Sequence, residues 1–542
     1  MPSELIVLPL TFGKGCGAAQ FHKGHYGICL NGDCRYGYFM PGPQEIADLT
    51  GIASGYRVVA WARHVDVPVI ATTNGTNTKI YQRTTIWDEI ADIASRVVAG
   101  PQALISFNSV LAVGFGSANP YQFATDVTVD GSAYTFTAST KTAANADSAN
   151  AFWVQSSGVV TPRVCYVTSP NQVYFTEDLT NADATGSTAT ELGTDNSTDN
   201  YVTSVIEDDT GRLLAGTRRQ LWSLRGDYSR PERAIAEDFP DGPGEAGGQS
   251  DRQNFENPQM IEGRIYYIYS GDELLEYDHG RVNKYMAPKH QGKNIPRMNL
   301  PINAILAVGN TLLVWIGSAN TATNRSVTYA PGGSSRIANT FGITSELYYG
   351  QYMEDETGTR WTYHGIVLQC TDLLRYAFFD EDSDFVYQSS GASESTDLQM
   401  TRFKFVKDNP LFHLISSQIV LSLQPAKIEV LGIDMGMAFD LKRAVRVSLQ
   451  TMGLASAVPS MEVEYKLSDY FTTTAFETEF VTFVTDNDAL NGRDFPRDSI
   501  FRTMDIRFVE TPSDAGTDLF GILFGAELDI ELTTERSKRP RK

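Results

Sequence analysis

Apolar and polar positions alternate along this chain in short bursts rather than long helical stripes, and the bursts recur. The stretch Tyr201–Gly226, YVTSVIEDDTGRLLAGTRRQLWSLRG, shows the unit most cleanly. An apolar run, Val202–Ile206, meets a polar turn at Glu207–Gly211, where Asp and Gly accept positive φ at little cost. A second run, Leu213–Gly216, meets a basic turn, and a third, Leu221–Leu224, carries Trp222. The pattern predicts three short strands joined by tight turns. Such a unit has one apolar face too many to stand alone, so it must stack on copies of itself.

The copies are present. The second and third runs recur from Val69 (VIATTNGTNTKIYQR), Val110, Val164, Leu213, Ile265 (IYYIYSGDELLEYD), Leu312 and Gly365, with starts 41, 54, 49, 52, 47 and 53 residues apart. Each copy ends on a run holding an aromatic: Tyr81, Tyr121, Tyr174, Trp222, Tyr277, Tyr329 and Tyr376. Several are preceded by a further apolar run across Asn108-Ser109, Glu262-Gly263 or Gly309-Asn310, residue types that two-residue hairpins favour. Seven four-strand units at this period predict a β-propeller of about seven blades, whose radial closure buries both faces of every blade. The alternative is a β-sandwich whose strands merely recur at short intervals.

The pattern changes near Asp397. From FKFV onward, through IVLSL, KIEVLGIDM, RAVRVSL, MEVEYKL, TEFVTFV, TMDIRFVE and LFGILFGAELDIEL, strands are longer and alternate more strictly, as in a two-sheet sandwich. The expected organisation is therefore all-β: an N-terminal arm at 1–54, a propeller at 55–395, a C-terminal β-sandwich at 396–534 and a basic tail at 535–542. The arm is Gly-rich and either lies on the propeller or supplies a strand to close its last blade. Only Trp87–Ala99 (WDEIADIASRVVA) carries a helical spacing. Small polar stretches at 138–150, 181–200 and 238–253 predict solvated loops.

Composition narrows the picture. With 542 residues the chain is too long for one core, and its many Tyr, Phe, Gly, Thr and Ser suit an all-β fold. Its 44 Lys+Arg against 65 Asp+Glu leave a net charge of −21, which disfavours sequence-independent adhesion to nucleic acid but does not exclude a wall along which DNA slides without sticking. No apolar run is long enough for a membrane span, and MPSELIVLPLTFGKGC does not read as a signal peptide. The tail ERSKRPRK carries five Lys/Arg, either as a solvated end or as a segment that docks on an acidic neighbour or nucleic acid.

The search for chemistry finds little. GxSxG, P-loop, HExxH and Asp-box motifs are all missing, although carboxylates from distant blades can still converge in a propeller funnel. Cys16, His22, His25, Cys29 and Cys34 fall within CGAAQFHKGHYGICLNGDC, and sulfur and imidazole at such spacings suit a tetrahedral zinc. Against that, no tight CxxC knuckle is formed, and Cys29 and Cys34 bracket a turn, as incidental cysteines in strands would. Cys165 and Cys370 sit in apolar runs as small core residues. Asp380, Asp382 and Asp384 have a calcium-like rhythm, but Phe385 and Gly391 fall where an EF-hand loop needs Gly and Glu, so an exposed acidic turn competes. Trp61, Trp153, Trp315 and Trp361 read either as blade core or as sugar-stacking platforms. No cofactor is implied.

The first blade, GYRVVAWARHVDVPVIATTNGTNTKIYQRTTIWDEIADI, resembles the opening of β-propeller proteins in tailed-bacteriophage tails. ISFNSVLAVGFGSANPYQF, LLAGTRRQLWSLRGD and NPQMIEGRIYYIYSGDELLEYD look like further blades of that kind, so the resemblance covers about residues 55–390. It implies a non-enzymatic virion component of the tail hub, nozzle or DNA-stabilisation type, assembled in the host cytoplasm. It further implies a homo-oligomeric ring around the DNA channel, with tail, adaptor and fibre proteins as neighbours and DNA as transiting cargo. The family has no catalytic set to carry over. The competing expectation is a propeller lectin, a host-glycan-binding module or a glycosidase.

Overall fold

The continuous apolar runs that open each repeat have a simple physical origin. In blades 1 to 6 they form the second strand, which packs against a neighbouring blade on both faces. The run at Gly365 instead falls in the fourth strand of blade 6, Gly358–Cys370, and its Tyr376 in the first strand of blade 7, Leu374–Asp380. In the computed structural model, alternate residues of one strand feed two different seams. Val69 and Ala71 join the cluster between blades 1 and 2, while Ile70 joins the cluster between blades 7 and 1. Leu213 and Ala215 face blade 3, and Leu214 faces blade 5. Leu312 and Val314 face blade 5, and Leu313 and Trp315 face blade 7.

The structure describes residues 5–10, 28–93, 103–115, 119–140, 149, 151–156, 161–168, 172–180, 190–192, 202–217, 221–225, 230–233, 255, 257–269, 273–278, 281–285, 289–290, 293–294, 302–317, 345–355, 358–370, 374–390, 399–407, 426–433, 440–454, 459–468, 477–512 and 521–532. Seven antiparallel four-strand arrays follow one another. Blade 1 comprises Arg57–His64, Val67–Thr73, Thr78–Arg83 and Trp87–Ile93. Blade 2 runs from Ala103–Phe107 to Thr137–Ala138, blade 3 from Ala151–Gln155 to Thr190–Glu191, and blade 4 from Val202–Glu207 to Arg230–Arg233. Blade 5 spans Gln259–Ile261 to Arg281–Tyr285, and blade 6 spans Ile302–Val308 to Gly358–Cys370. Blade 7 comprises Leu374–Asp380, Phe385–Ser390 and Gln399–Lys404, and its fourth strand is Ile46–Ala47 from the N-terminal segment.

A buried apolar cluster occupies each junction between successive blades, including the junction of blade 7 with blade 1. The ring is therefore closed, and the fold is a β-propeller followed by a β-sandwich. Two of the three hairpin turns read from the sequence have positive φ at both central residues, Asn108-Ser109 and Glu262-Gly263, and the third has it at Gly309. A fourth, Val65-Asp66, puts a β-branched residue at φ 43°.

Several expectations require correction. Of the two roles expected for the N-terminal arm, closing the last blade with a strand is the one found, through Ile46–Ala47, and the arm reaches the sandwich as well. Leu5–Leu10 pairs antiparallel with Ile522–Leu532 in the sandwich, and Ile28–Leu30 lies between Gly358–Cys370 of blade 6 and Ala426–Ile433 of the sandwich. The sandwich boundary also moves: Gln399–Lys404, expected within it, belongs to blade 7 because Phe403 packs with Leu374, Phe379 and Val386. Trp87–Ile93 is a strand rather than a helix. A register shift leaves Ile90 as an extra residue opposite Thr78–Arg83, so a bulged strand reproduces the helix-like spacing of Trp87, Ile90 and Ala91. Short outermost strands of blades 2 and 3, Thr137–Ala138 and Thr190–Glu191, stand partly within stretches expected to be loops.

The sandwich places Leu5–Leu10, Ile522–Leu532 and Lys442–Met452 in one sheet. Ala426–Ile433, Thr503–Thr511, Ser460–Ser468 and Glu477–Phe483 form the other, which continues through Ile28–Leu30 into blade 6. Leu10, Cys29, Ile428, Val447, Val463, Phe508 and Leu528 share the core between them.

Candidate functional site

The segment Ile28–Asp48 makes several long-range polar contacts, because it threads from the sandwich to the last blade. Its first part is a joint. Asp33 and Arg35 form a buried bidentate pair, with Arg35 Nη2 to Asp33 Oδ2 at 2.8 Å and Arg35 Nε to Asp33 Oδ1 at 3.2 Å. Arg35 also donates through Nη1 to the Val406 carbonyl at 3.2 Å, and its guanidinium lies 4.0 Å over the Phe405 ring. Burial pulls the Arg35 pKa down, but the adjoining Asp33 carboxylate more than offsets it and holds the group above its ordinary value.

Tyr349 of blade 6 reaches into the same joint. Its hydroxyl accepts from the Cys34 N–H at 2.7 Å and donates to the Gly32 carbonyl at 3.3 Å. Burial, reinforced by Asp33 and Cys34, pushes the Tyr349 pKa well above the usual phenol value, so it remains a neutral hydrogen-bonding group. Tyr38 and Met40 then pack with Val406 at the end of blade 7 and Ile522 of the sandwich.

The second part is a latch. Glu45 accepts from Gln388 and Thr401 of blade 7, and Gln388 in turn accepts from Trp315 Nε1 of blade 6 at 3.1 Å. Asp48 joins three elements at once. It receives Arg83 at 2.8 and 3.1 Å and Trp87 Nε1 at 2.9 Å from blade 1, and Arg402 of blade 7 stands 3.5 Å away. On another face of the blade 7–blade 1 seam, Arg63 pairs with Asp382 and lies 3.9 Å from Asp380. His64 beside it bridges to blade 2: Nε2 faces the Val127 carbonyl at 2.8 Å and so donates, leaving Nδ1 to accept from Ser106 Oγ at 2.7 Å.

These carboxylates are already committed. Their hydrogen bonds and ion pairs tie blade 7 to blade 1 and to the N-terminal segment, so the arrangement suits mechanical fastening.

The residues singled out from sequence are distributed as follows. Cys16, His22 and His25 lie outside the described residues. Cys29 and Cys34 come together, with sulfurs 3.7 Å apart. Among the described residues no group of three His, Cys, Asp or Glu is placed to hold a metal. The Asp380–Asp384 turn is tied by arginine and by Ser383 Oγ, which donates to Asp380. Cys165 and Trp315 are buried between blades, and Trp61 stacks on Phe378 at 4.9 Å in the blade 7–blade 1 seam. Trp361 and Cys370 lie in the strand Gly358–Cys370, and 238–253 and the tail 535–542 fall outside the described residues. Sequence reading missed Asp33, Arg35, Glu45, Asp48, Arg83 and Arg402. They read as ordinary polar positions in turns and strands, and only their partners in the folded chain set them apart. Sequence reading also missed Glu510, buried in the sandwich between Ala426 and Met461.

No family model matches the chain, and no curated protein matches it. Among solved structures, the chain is similar to the computationally designed Ika8 protein, to the AfRom2 CNH domain and to BBS1N in complex with ARL6DN, each at 10% identity and a TM-score of 0.37. The three alignments cover 67%, 67% and 68% of this chain and 100%, 99% and 97% of those chains.

Proposed function

We propose that this protein is a structural component of a tailed-phage virion, a tail subunit that assembles into a homo-oligomeric ring around the DNA channel and docks neighbouring tail or fibre proteins. The observation that carries the reading is the pair of fastenings made by Ile28–Asp48. One joins the sandwich to the propeller through Asp33–Arg35 and Tyr349, and the other seals the ring through Glu45 and Asp48. A disc closed in this way resists shear and offers two rims of turns for neighbours, as a subunit under mechanical stress requires. The blade sequences from Gly55 onward support it through their resemblance to phage tail propellers. A net charge of −21 supports passage of DNA without adhesion.

The test is mass spectrometry of density-gradient-purified particles from the source lysate, with immunogold labelling of this chain. Near-stoichiometric peptides and gold at the tail are expected. A chain confined to the soluble fraction overturns the reading.

A further inference from the structure

Cys29 and Cys34 flank the turn Asn31–Asp33, and their sulfurs lie 3.7 Å apart inside the joint. Each is held from a different direction. Cys29 pairs across the ladder with Ile428 of the sandwich, whereas the Cys34 N–H is bonded to the Tyr349 hydroxyl of blade 6. Gly32, between them, leaves room that another residue would fill. A Cβ there would stand 3.1 Å from the Cys29 sulfur and 2.5 Å from the Phe39 ring. Both thiols are almost fully buried, at 1% and 0% exposure. Asp33, the carboxylate in the turn, is engaged by Arg35.

We propose that Cys29 and Cys34 are a modification site: a dithiol that hydrogen peroxide oxidises to an intramolecular disulfide, locking the joint between propeller and sandwich. One thiol attacks the peroxide O–O bond, becomes a sulfenic acid and releases water. The second thiol attacks that sulfur, the S–S bond forms, and the sulfenic oxygen leaves as a second water. The two thiols give up two electrons and two protons, and hydrogen peroxide accepts both pairs. The sulfurs must close from 3.7 Å to about 2.05 Å, a movement within a single turn, and a partner already this near makes the second step effectively unimolecular. Burial sets the kinetics. Only a small oxidant enters when the joint opens, and the same burial then shields the disulfide from bulky thiol reductants. None of this chemistry depends on the virion reading.

The experiment uses the full-length protein. It is treated with hydrogen peroxide or kept in dithiothreitol, then denatured in N-ethylmaleimide, digested and mapped by mass spectrometry, with zinc measured on the untreated protein. The expected result is a Cys29–Cys34 disulfide, seen as a loss of about 2 Da and of two maleimide adducts. Cys165, buried in the blade 3–blade 4 seam, should stay a thiol as the internal control. Hydrogen exchange across residues 28–42 should slow by roughly tenfold in the oxidised form, and the effect should be absent in Cys34→Ala. Three results would overturn the proposal: both cysteines still alkylated after peroxide, either one linked to Cys16 instead, or stoichiometric zinc that protects them. The wild-type map decides the question even where the variant fails to fold.

Discussion

Replacing Glu510 with Gln should remove the loss of sandwich stability that rising pH causes through this residue. The Glu510 side chain is fully buried, with apolar Ala426 and Met461 as its ladder partners. Oε1 accepts from the Gly521 N–H at 3.1 Å, while among the described residues Oε2 has no hydrogen-bond partner. Burial therefore pushes its pKa from 4.5 up to about 8, and the single amide donor only partly opposes this. The direction follows from proton counting. Between those two values the unfolded chain releases the proton and the folded chain keeps it, so stability falls as pH rises through this window and levels off above about 8. At about 1.36 kcal/mol for each pH step of one across the window, the accumulated loss is on the order of 5 kcal/mol. Glu510→Gln keeps an acceptor for Gly521 and cannot ionise. Its stability relative to wild type should be nearly unchanged at pH 4.5 and should rise by on the order of 3–5 kcal/mol by pH 8. All six tryptophans lie between residues 61 and 361, outside the sandwich strands, so tryptophan fluorescence is blind to this unfolding. Hydrogen exchange in peptides covering 503–511 and 522–532, at pH values from 5 to 8 with intrinsic rates corrected, reads it directly. Parallel stability curves for wild type and variant would refute the reasoning, because a constant offset is a packing effect and not a proton.

Asp48→Ala leaves Arg83 and Arg402 facing a vacated, largely buried position and removes an acceptor from Trp87 Nε1. A loss of about 3–5 kcal/mol in propeller stability is expected, with a red-shifted tryptophan emission, measured by urea denaturation. Val65→Asn relieves a β-branched residue at φ 43° on an exposed turn and should stabilise blade 1 by about 1 kcal/mol in the same assay. Gly216→Ala places a Cβ 2.1 Å from the Phe255 ring in the blade 4–blade 5 seam, and thermal unfolding should show a loss of about 1–3 kcal/mol.

The propeller is legible in the sequence because its signal is local and repeated. The run at Leu213 reads as apolar throughout because its two faces meet different neighbours, and the turn Asn108-Ser109 announces positive φ in its own residue types. The same locality explains the failures. WDEIADI fits a helical stripe and a bulged strand equally well, and pairing with Thr78–Arg83 decides between them. LIVLPL at the start and LFGILFGAELDIEL at the end carry no mark of being partners, yet they align Leu5 with Glu531 and Leu10 with Ala526. FKFV reads as a sandwich strand because edge and core strands share one alternation, and only its neighbours place it in blade 7. The joint is half visible. Cys29 and Cys34 draw attention as candidate metal ligands, whereas Asp33 and Arg35 between and beside them read as an ordinary polar turn.

The same long-range closures determine how the ring can form. Sealing blade 7 brings Glu45 to Thr401, 356 residues along the chain. Loop-closure entropy for that separation is on the order of 5 kcal/mol. The closing strand has only two paired residues, Ile46 and Ala47, and at about 1 kcal/mol per hydrogen bond the ladder alone does not offset that cost. The balance must come from the seam behind it, where Ile52, Val58, Ile70, Tyr81 and Trp87 meet Phe378, Tyr387 and Met400, and from Asp48, which ties both sides of that seam. Burial of even three of those side chains is worth more than the ladder, at roughly 1.5–3 kcal/mol each. Closure is therefore driven by the seam and made specific by the latch. A chain beginning at residue 49 should still build blades 1 to 6 and stay compact. It should keep the apolar seam between blades 7 and 1 but hold it more loosely without Ile46–Ala47 and Asp48, which is read as faster hydrogen exchange in residues 57–93 and 374–404 while residues 202–217 keep their protection. If exchange in blades 1 and 7 were unaltered, the N-terminal strand would be an ornament on a ring that closes by itself.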